Sequence, residues 1–413
     1  MQPQNGRGVA QLVARYVRDV EAGSSSLLTP TQQRESVSLS LFLFRYLTNI
    51  KTIMPKRVLM AMSGGVDSSV SALLLREQGY ELVGVTFRTF DHMQESCIAR
   101  EKGCCSVESI MEAKHFAESL GMEHHILDFR ETFKQHVIAN FIEEYRRGRT
   151  PNPCVLCNSH IKWGHLLSAA DELHCDLIAT GHYAQIAVRD GHHYLKCAVD
   201  RQKDQTYFLW MLTEENLKRT IFPLGGLTKP EVREIALRHQ FEKLAKKSDS
   251  QEICFIPDND YRTFLAQEGC VVRPGNYVDQ EGKKIGRHNG YCNYTIGQRK
   301  GLGIAFGVPK YVTRIDAERN EVALGDYEDL YSTTLKATDL RIRDREWLRS
   351  SPEVMARIRH KSPAKPATLQ LPADVDSSHE CSLHFEDPVW GVTPGQSVVL
   401  YKDELVVGGG IIA

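Results

Sequence analysis

The sequence predicts an α/β protein: a doubly wound parallel sheet, a small central region, and a C-terminal β-barrel. Three observations carry that reading. From Lys56 to about Tyr207, apolar strand-like runs alternate with stretches of helical periodicity, which builds a parallel sheet with helices on both faces. From 216 to 289 the alternation gives way to one helix and a series of tight turns. From 290 onward the pattern is short β segments broken by glycine and proline, the mark of a small barrel. The 413 residues suffice for two or three cored domains, and the expected boundaries are 54–215, 216–289 and 290–413.

The first strand is the apolar run Val58-Leu59-Met60-Ala61-Met62, and the first helix runs from Ser69 to Gln78 and stops at Gly79. Between them lies Ser63-Gly64-Gly65-Val66-Asp67-Ser68. Paired glycines let a backbone bend tightly and bring its N–H groups to an anion, and the following helix aims its positive end at the same place. No lysine follows the glycines, so this is not a Walker loop, and the spacing is not that of a dinucleotide fold. The order S-G-G-x-D-S resembles the loop of the ATP pyrophosphatases, which split ATP into AMP and pyrophosphate. Further along, Glu81–Phe87 reads as a strand, 106–120 as a helix ending before Gly121, His124–Phe129 as a strand, Phe133–Arg146 as a helix and Asp176–Thr180 as a strand. Ligands of such sheets sit at the carboxyl ends of the strands, where Ser63–Ser68 falls.

A second dense motif is Thr150-Pro151-Asn152-Pro153-Cys154-Val155-Leu156-Cys157-Asn158. Its prolines fix an extended loop, and Cys157 is expected to open a helix to about Leu173, a place that favours thiolate. A third cysteine, Cys254, stands in the polar run 248–257. His182, in Ala179-Thr180-Gly181-His182-Tyr183, follows a strand end on the expected ligand face; a structural histidine is the alternative. Cys97, Cys175, Cys197, Cys270, Cys292 and Cys381 read as core or surface residues, and the vicinal Cys104-Cys105 precedes a helix. In the central region Leu227–Phe241 is helical, with Pro230 in its first turn. The expected barrel strands include Tyr311–Ile315, Glu321–Gly325, Glu353–Arg359, Ala367–Leu371 and Ser397–Tyr401.

The charge is near balance, 51 basic against 52 acidic residues, so nothing overall demands nucleic acid. Locally, the basic stretch Arg341–Arg359 with Lys361–Lys365 fits a phosphate-tracking surface. Eleven cysteines in a chain this long, with Cys-x-x-Cys at 154–157, fit a reducing compartment rather than a disulfide scaffold. No run approaches the roughly 20 apolar residues of a membrane helix. Residues 1–53 read as a non-domain extension. Arginine and serine suit a transit peptide, but Asp19, Glu21 and Glu35 do not. The favoured reading is a start placed too early, with the chain proper beginning near Met54. That predicts a bacterial cytoplasmic protein, with a mitochondrial location the alternative.

Seven motifs in order resemble the bacterial tRNA-specific 2-thiouridylase family and its mitochondrial counterpart, from about Lys56 to the C-terminus. They are S-G-G-V-D-S, P-N-P-x-x-x-C-N, A-T-G-H-Y, K-D-Q at 203–205, L-G-G-L-T-K at 224–229, D-S-Q-E-I-C-F-I at 249–256 and Y-T-I-G-Q-R-K-G-L-G at 294–303. The resemblance implies replacement of the 2-oxygen of the wobble uridine by sulfur in tRNAs for lysine, glutamate and glutamine, after adenylation of that oxygen by ATP with Mg2+. It implies ATP binding by Ala61, Met62, Ser63, Gly64, Gly65, Val66, Asp67 and Ser68, with Phe87 and Gly181. Cys254 would carry a persulfide, and Cys157 would be the nucleophile that releases its sulfur and can end in a disulfide with it. Asn152, Pro153 and Cys154 would touch the target base. His182, Lys203, Asp204, Gln205, Arg359, His360 and Gln396 would contact tRNA. A cysteine desulfurase or small relay protein would supply sulfur.

The chain departs from the family at Cys154, where many members carry aspartate. The change creates Cys154-x-x-Cys157, which with Cys254 is a candidate ligand set for an iron–sulfur cluster holding sulfide on an open iron. Two rivals remain. An amide-forming ATP pyrophosphatase would explain the loop but not the cysteine motifs. A tRNA-binding protein with a dead nucleotide site conflicts with the intact loop.

Overall fold

A computed structural model describes residues 55–90, 107–248, 253–256, 260–270, 273–304, 307–372 and 380–413. The extension 1–53 and Cys97, Cys104 and Cys105 lie outside the described residues.

Strand β1 (Arg57–Ala61) runs into the glycine loop and helix α1 (Val66–Glu77), which ends at Gly79 with φ +87°. Strand β2 (Glu81–Arg88), helix α2 (Val107–Ser119) and strand β3 (Glu123–Asp128) follow. Helix α3 comprises Arg130–Phe133, a π-helical turn Lys134–Ile138 and Ala139–Arg146. Helix α4 comprises Pro153–Leu156, a second π turn Cys157–Lys162 and Trp163–Glu172. Strand β4 (Leu177–Thr180) returns to the sheet.

After β4 come a hairpin, β5 (Gln185–Arg189) and β6 (His192–Lys196), the short helices α5 (Thr206–Leu209) and α6 (Glu214–Lys218), and strand β7 (Thr220–Ile221). The first sheet is parallel throughout, in the order β3-β2-β1-β4-β7. Successive residues of β1 serve opposite faces. Val58 and Met60 join the cluster containing Leu73, Leu75 and Phe116 of α1 and α2, whereas Leu59 joins Trp163 and Leu166 of α4. That is the doubly wound architecture expected, with both faces covered.

Helices α7 (Lys229–Arg238), α8 (Glu242–Lys246) and α9 (Tyr261–Gln267) lead to strands β8 (Gly275–Val278), β9 (Lys284–His288), β10 (Tyr311–Asp316) and β11 (Glu321–Gly325). These four strands form their own sheet, β10-β11-β8-β9. Tyr311–Ile315 and Glu321–Gly325, expected in the barrel, therefore belong to the central sheet: β11 takes β8 as its parallel neighbour, not a barrel strand.

The barrel begins later, with β12 (Tyr331–Ile342), helix α10 (Arg345–Ser350), β13 (Glu353–Arg357), β14 (Lys365–Gln370), β15 (Cys381–Trp390), β16 (Ser397–Lys402) and β17 (Leu405–Ile412). Six strands close through the β12–β17 pairing, and the β5–β6 hairpin extends the same sheet through β17. The barrel is locked to the first sheet by buried aromatics. Tyr207 donates its hydroxyl to the Ser397 carbonyl at 2.9 Å, Trp210 donates its indole N–H to Ser397 Oγ at 3.0 Å, and a Cβ on Gly409 would lie 2.6 Å from the Trp210 ring. Val399, Tyr401 and Val406 share one core with β1, β2 and α4.

Candidate active site

The loop after β1 is built by its own side chains. Ser63 N–H donates to Ser68 Oγ at 3.2 Å, and Ser68 Oγ donates to the Gly65 carbonyl at 3.1 Å. Gly64 turns the chain at φ +67°, and a Cβ there would sit 2.4 Å from the Ser109 carbonyl of α2, so only glycine fits. A Cβ on Gly181 would lie 2.8 Å from Ser68 N, so the end of β4 packs closely against the start of α1. Phe87 meets Phe129 edge-on at 5.2 Å, and Phe129 stacks on His165 at 4.4 Å, giving an aromatic wall at the ends of β2 and β3. Ala61 and Phe87 pack against one core.

Two cations at this loop were missed by sequence reasoning. Lys229, buried at the start of α7, places Nζ 2.8 Å from each carboxylate oxygen of Asp67, and the Tyr183 hydroxyl donates to Asp67 Oδ1 at 2.8 Å. The signal was present in the motif ending at Lys229. A lysine in a helix's first turn opposes the macrodipole and, when buried, needs a counter-charge. Lys247 donates to the Gly64 carbonyl at 3.0 Å and pairs with Glu112.

The thiol loop is held by the barrel. Gln396 Nε2 donates to the Thr150 and Pro151 carbonyls at 3.1 and 2.9 Å, and Thr150 N–H donates to the Pro394 carbonyl at 2.8 Å. Cys157 does not open the helix. Pro153, whose fixed φ suits the first helical position, starts α4 four residues earlier, so the first-turn cysteine is Cys154 and Cys157 begins the π turn. Cys154 is exposed, whereas Cys157 and Cys254 are half-buried against the same apolar cluster of Phe133, Phe141, Phe255 and Phe264. Among the described residues no three His, Cys, Asp or Glu side chains form a group able to hold a metal, and that covers Cys154, Cys157 and Cys254. Cys175, Cys197, Cys270, Cys292 and Cys381 are buried.

The residues expected to meet tRNA divide. Asp204 is 2% exposed and accepts from Ala198 N–H at 2.8 Å and Thr206 Oγ1 at 2.6 Å, with Arg357 at 3.4 Å. Gln205 Oε1 accepts from Tyr183 N–H at 2.9 Å, while Lys203 is half-buried beside this turn. Arg359 donates to the Ile296 and Gly391 carbonyls at 3.2 and 2.7 Å and to Thr393 Oγ1 at 2.5 Å, tying the central sheet to the barrel. The His360 ring lies tilted by 36° against Phe208, with centroids 4.4 Å apart. His182 hydrogen-bonds Thr180 at 2.8 Å beside Trp163, and burial holds its pKa well below the usual histidine value, so it is neutral. In the basic stretch, Arg341, Arg343, Arg357 and Arg359 all bond to carbonyls or a carboxylate of their own chain. Sequence reasoning also missed a cleft of about 470 Å³ between α3, α4 and the barrel, lined by Asn152, Asn140, Arg149, His160 and Arg341 among others.

Three family models match in sequence order: a tRNA methyl transferase HUP domain over 56–258, a tRNA methyl transferase PRC-barrel domain over 262–326 and an aminomethyltransferase beta-barrel domain over 333–412. Curated relatives called tRNA-specific 2-thiouridylase MnmA align nearly end to end. That of Amoebophilus asiaticus is 47% identical over 361 residues, 86% of this chain and 95% of the relative. That of Carboxydothermus hydrogenoformans is 46% identical over 363 residues, 86% and 97%. Among solved structures, a U34-tRNA thiolase NcsA from Methanococcus maripaludis with its four-iron four-sulfur cluster matches at 20% identity and TM-score 0.30, over 52% of this chain and 65% of that one, too distant to carry an argument.

Proposed function

We propose, since this chain belongs to the tRNA-specific 2-thiouridylase family, that it is an ATP-dependent sulfurtransferase that replaces the 2-oxygen of a tRNA uridine by sulfur. The observation that carries the reading is the joint presence of a phosphate-gripping glycine loop and two cysteines, Cys157 and Cys254, on one apolar cluster. A urea-like carbonyl is a poor electrophile until its oxygen is a phosphoester. The uridine 2-oxygen attacks the α-phosphorus of ATP and pyrophosphate leaves along Ser63–Ser68. Gly65 N–H and the first amides of α1 face the departing charge. Mg2+ would arrive with ATP, and Asp67 is the loop's carboxylate.

Cys254 carries the persulfide. Its terminal sulfur adds to C2 and AMP leaves with the C–O electron pair. Cys157 thiolate then attacks the Cys254 sulfur, so that a Cys157–Cys254 disulfide forms and the broken S–S pair stays on the sulfur bound to C2. A thiol reductant restores both cysteines. The shared cluster around the pair supports this route. No step passes through an iron–sulfur cluster.

Asn152, Pro153 and Cys154 would face the flipped base, with the anticodon loop as substrate because an unpaired base can be splayed out. Lys203, His182, His360 and Gln396 line or brace its approach, and Asp204, Gln205 and Arg359 hold the surfaces that meet it. The tRNAs would be those for lysine, glutamate and glutamine, and the sulfur donor a cysteine desulfurase or relay protein. No described helix is long and apolar enough to cross a membrane, and a bacterial cytoplasmic location is proposed, with the mitochondrion the alternative. The test is incubation with ATP, unmodified tRNA and a persulfide donor. AMP and 2-thiouridine formed together, only when tRNA is present, support the function. AMP formation that responds to a small carboxylic acid and ignores tRNA would overturn it.

A further inference from the structure

The motif at 294–303 plays no part in the chemistry above, yet it builds a loop of fixed shape in the central region. Gly297 N–H donates to the Val312 carbonyl at 2.8 Å and Val312 N–H to the Gln298 carbonyl at 3.0 Å, which seats the loop on β10. The Tyr277 hydroxyl of β8 donates to the Leu302 carbonyl at 2.8 Å. Gln298 closes the turn: its side chain accepts from Thr295 N–H at 3.1 Å and donates to the Lys300 carbonyl at 3.0 Å. Arg299 and Lys300, at the tip, are exposed.

This loop, α9 and the end of β9 enclose a cavity of about 510 Å³. Two arginines line it. Arg262 of α9 has its Cζ 5.9 Å from the centroids of both the Tyr261 and Tyr294 rings, and a Cβ on Gly301 would lie 3.5 Å from its guanidinium. Arg287 of β9 is exposed. Asn289 and Asn293 add amides. Burial lowers the pKa of His288 in the same wall, so that ring is neutral and the positive charge is that of the two guanidiniums. Among the described residues no carboxylate lines the cavity. Asp260, at the start of α9, is turned to Thr263, accepting from its N–H at 3.2 Å and its Oγ1 at 2.6 Å. Guanidinium forks with amides and no acid suit a phosphate, whose oxygens they meet in pairs.

Helix α9 turns Phe264 and Leu265 to the apolar cluster against which Cys157 and Cys254 pack, and Arg262, Thr263 and Ala266 to the cavity. The helix, about 10 Å across, therefore stands between the cavity and the thiols. We propose that this cavity binds a phosphodiester of the tRNA backbone away from the reacting uridine, with Arg262 and Arg287 as its ligands and Arg299 and Lys300 flanking it. Such a contact positions the tRNA without reading its sequence. The choice of tRNA as the polyanion rests on the sulfurtransferase reading; inorganic phosphate and free nucleotides share the chemistry.

The experiment measures the Kd of the full chain for labelled, unmodified tRNA by fluorescence anisotropy between about 50 and 200 mM KCl. Each phosphate contact adds about one unit to the slope of log Kd against log salt. R287Q is expected to lower the slope by about one and to weaken binding about tenfold; R262Q/R287Q lowers the slope by about two. If the double variant does not fold, R287Q alone decides, since Arg287 is exposed. R76Q removes an exposed charge at the end of α1 far from the glycine loop and is expected to leave the slope unchanged. Calorimetric titration with inorganic phosphate and with ATP is expected to give the same affinities in R287Q as in wild type. An unchanged slope in R287Q, or an equal fall in R76Q, overturns the site. Lost phosphate or ATP binding in R287Q with tRNA binding intact assigns the cavity to a free phosphate and overturns it too. So does R287Q that binds tRNA normally but no longer accepts sulfur from a donor protein, which makes the cavity a protein-docking face. Binding needs no turnover. A chain with the expected slopes that makes no 2-thiouridine refutes the sulfurtransferase reading and leaves the site; 2-thiouridine formation with an unchanged R287Q slope does the reverse.

Discussion

Replacing Lys229 by methionine removes the ammonium that both oxygens of Asp67 face at 2.8 Å. Methionine fills a similar volume, so the effect is electrical rather than a cavity. Removing one partner of a buried pair costs about 3–5 kcal/mol, because the other charge is left without compensation. Here the Asp67 side chain is 32% exposed and keeps the Tyr183 hydroxyl. That discounts the loss to about 2–3 kcal/mol. For a domain of this size the cost corresponds to a fall in melting temperature of roughly 4–12 °C. The assay is a double-mutant cycle in thermal unfolding with D67N. If the stranded carboxylate causes the loss, K229M/D67N is more stable than K229M, with a coupling of about 2 kcal/mol. Additive losses would refute the reasoning.

Gly64→Ala places a Cβ 2.4 Å from the Ser109 carbonyl at a left-handed φ; AMP formation is expected to vanish with circular dichroism unchanged. Gln396→Ala frees the Thr150 and Pro151 carbonyls and is expected to raise KM for tRNA while leaving ATP affinity in place. The pKa of His182 is lowered in the folded chain, mainly by burial, so between that pKa and the ordinary 6.5 the unfolded state binds more protons. Its stability contribution is present above pH 6.5 and lost as pH falls toward the folded pKa. His124, His160, His288 and His360 act in the same direction. The melting temperature should therefore rise from pH 5 to pH 6.5 and then level, with a shallower rise in H182N; a flat profile contradicts this. Cys154→Ala should retain 2-thiouridine formation, whereas Cys254→Ser should abolish it; loss of activity in both, with iron in the wild type, would restore the cluster reading.

The parallel sheet was legible because its strands are buried on both faces and read as plain apolar runs, as Val58–Met62 does. Strand partners were less legible. Tyr311–Asp316 and Glu321–Gly325 announce themselves as strands, but nothing local says that β11 pairs with Asn276–Val278 rather than with the barrel. The β5–β6 hairpin was missed although Asp190-Gly191, both at positive φ, is a type I′ turn signal. Strand β17 is hidden by Gly408-Gly409-Gly410, of which Gly409 admits Trp210 to the barrel wall while Gly408 and Gly410 lie close against β12.

At the site, the loop and the three cysteines were readable from local motifs. Lys229 and Lys247 were not, because they meet the loop from 162 and 183 residues away. The reach of Asp204 and Arg359 into their own chain was equally hidden: a charged residue in a motif does not reveal which way it faces.

The central claim is that sulfur passes through the Cys254 thiol. The most direct measurement is mass spectrometry of the Cys254 peptide after loading with a persulfide donor, followed by a chase with ATP and tRNA. The account predicts a gain of one sulfur atom at Cys254, lost in the chase as an equal amount of 2-thiouridine appears. Formation of 2-thiouridine while the sulfur on Cys254 stays in place would contradict it.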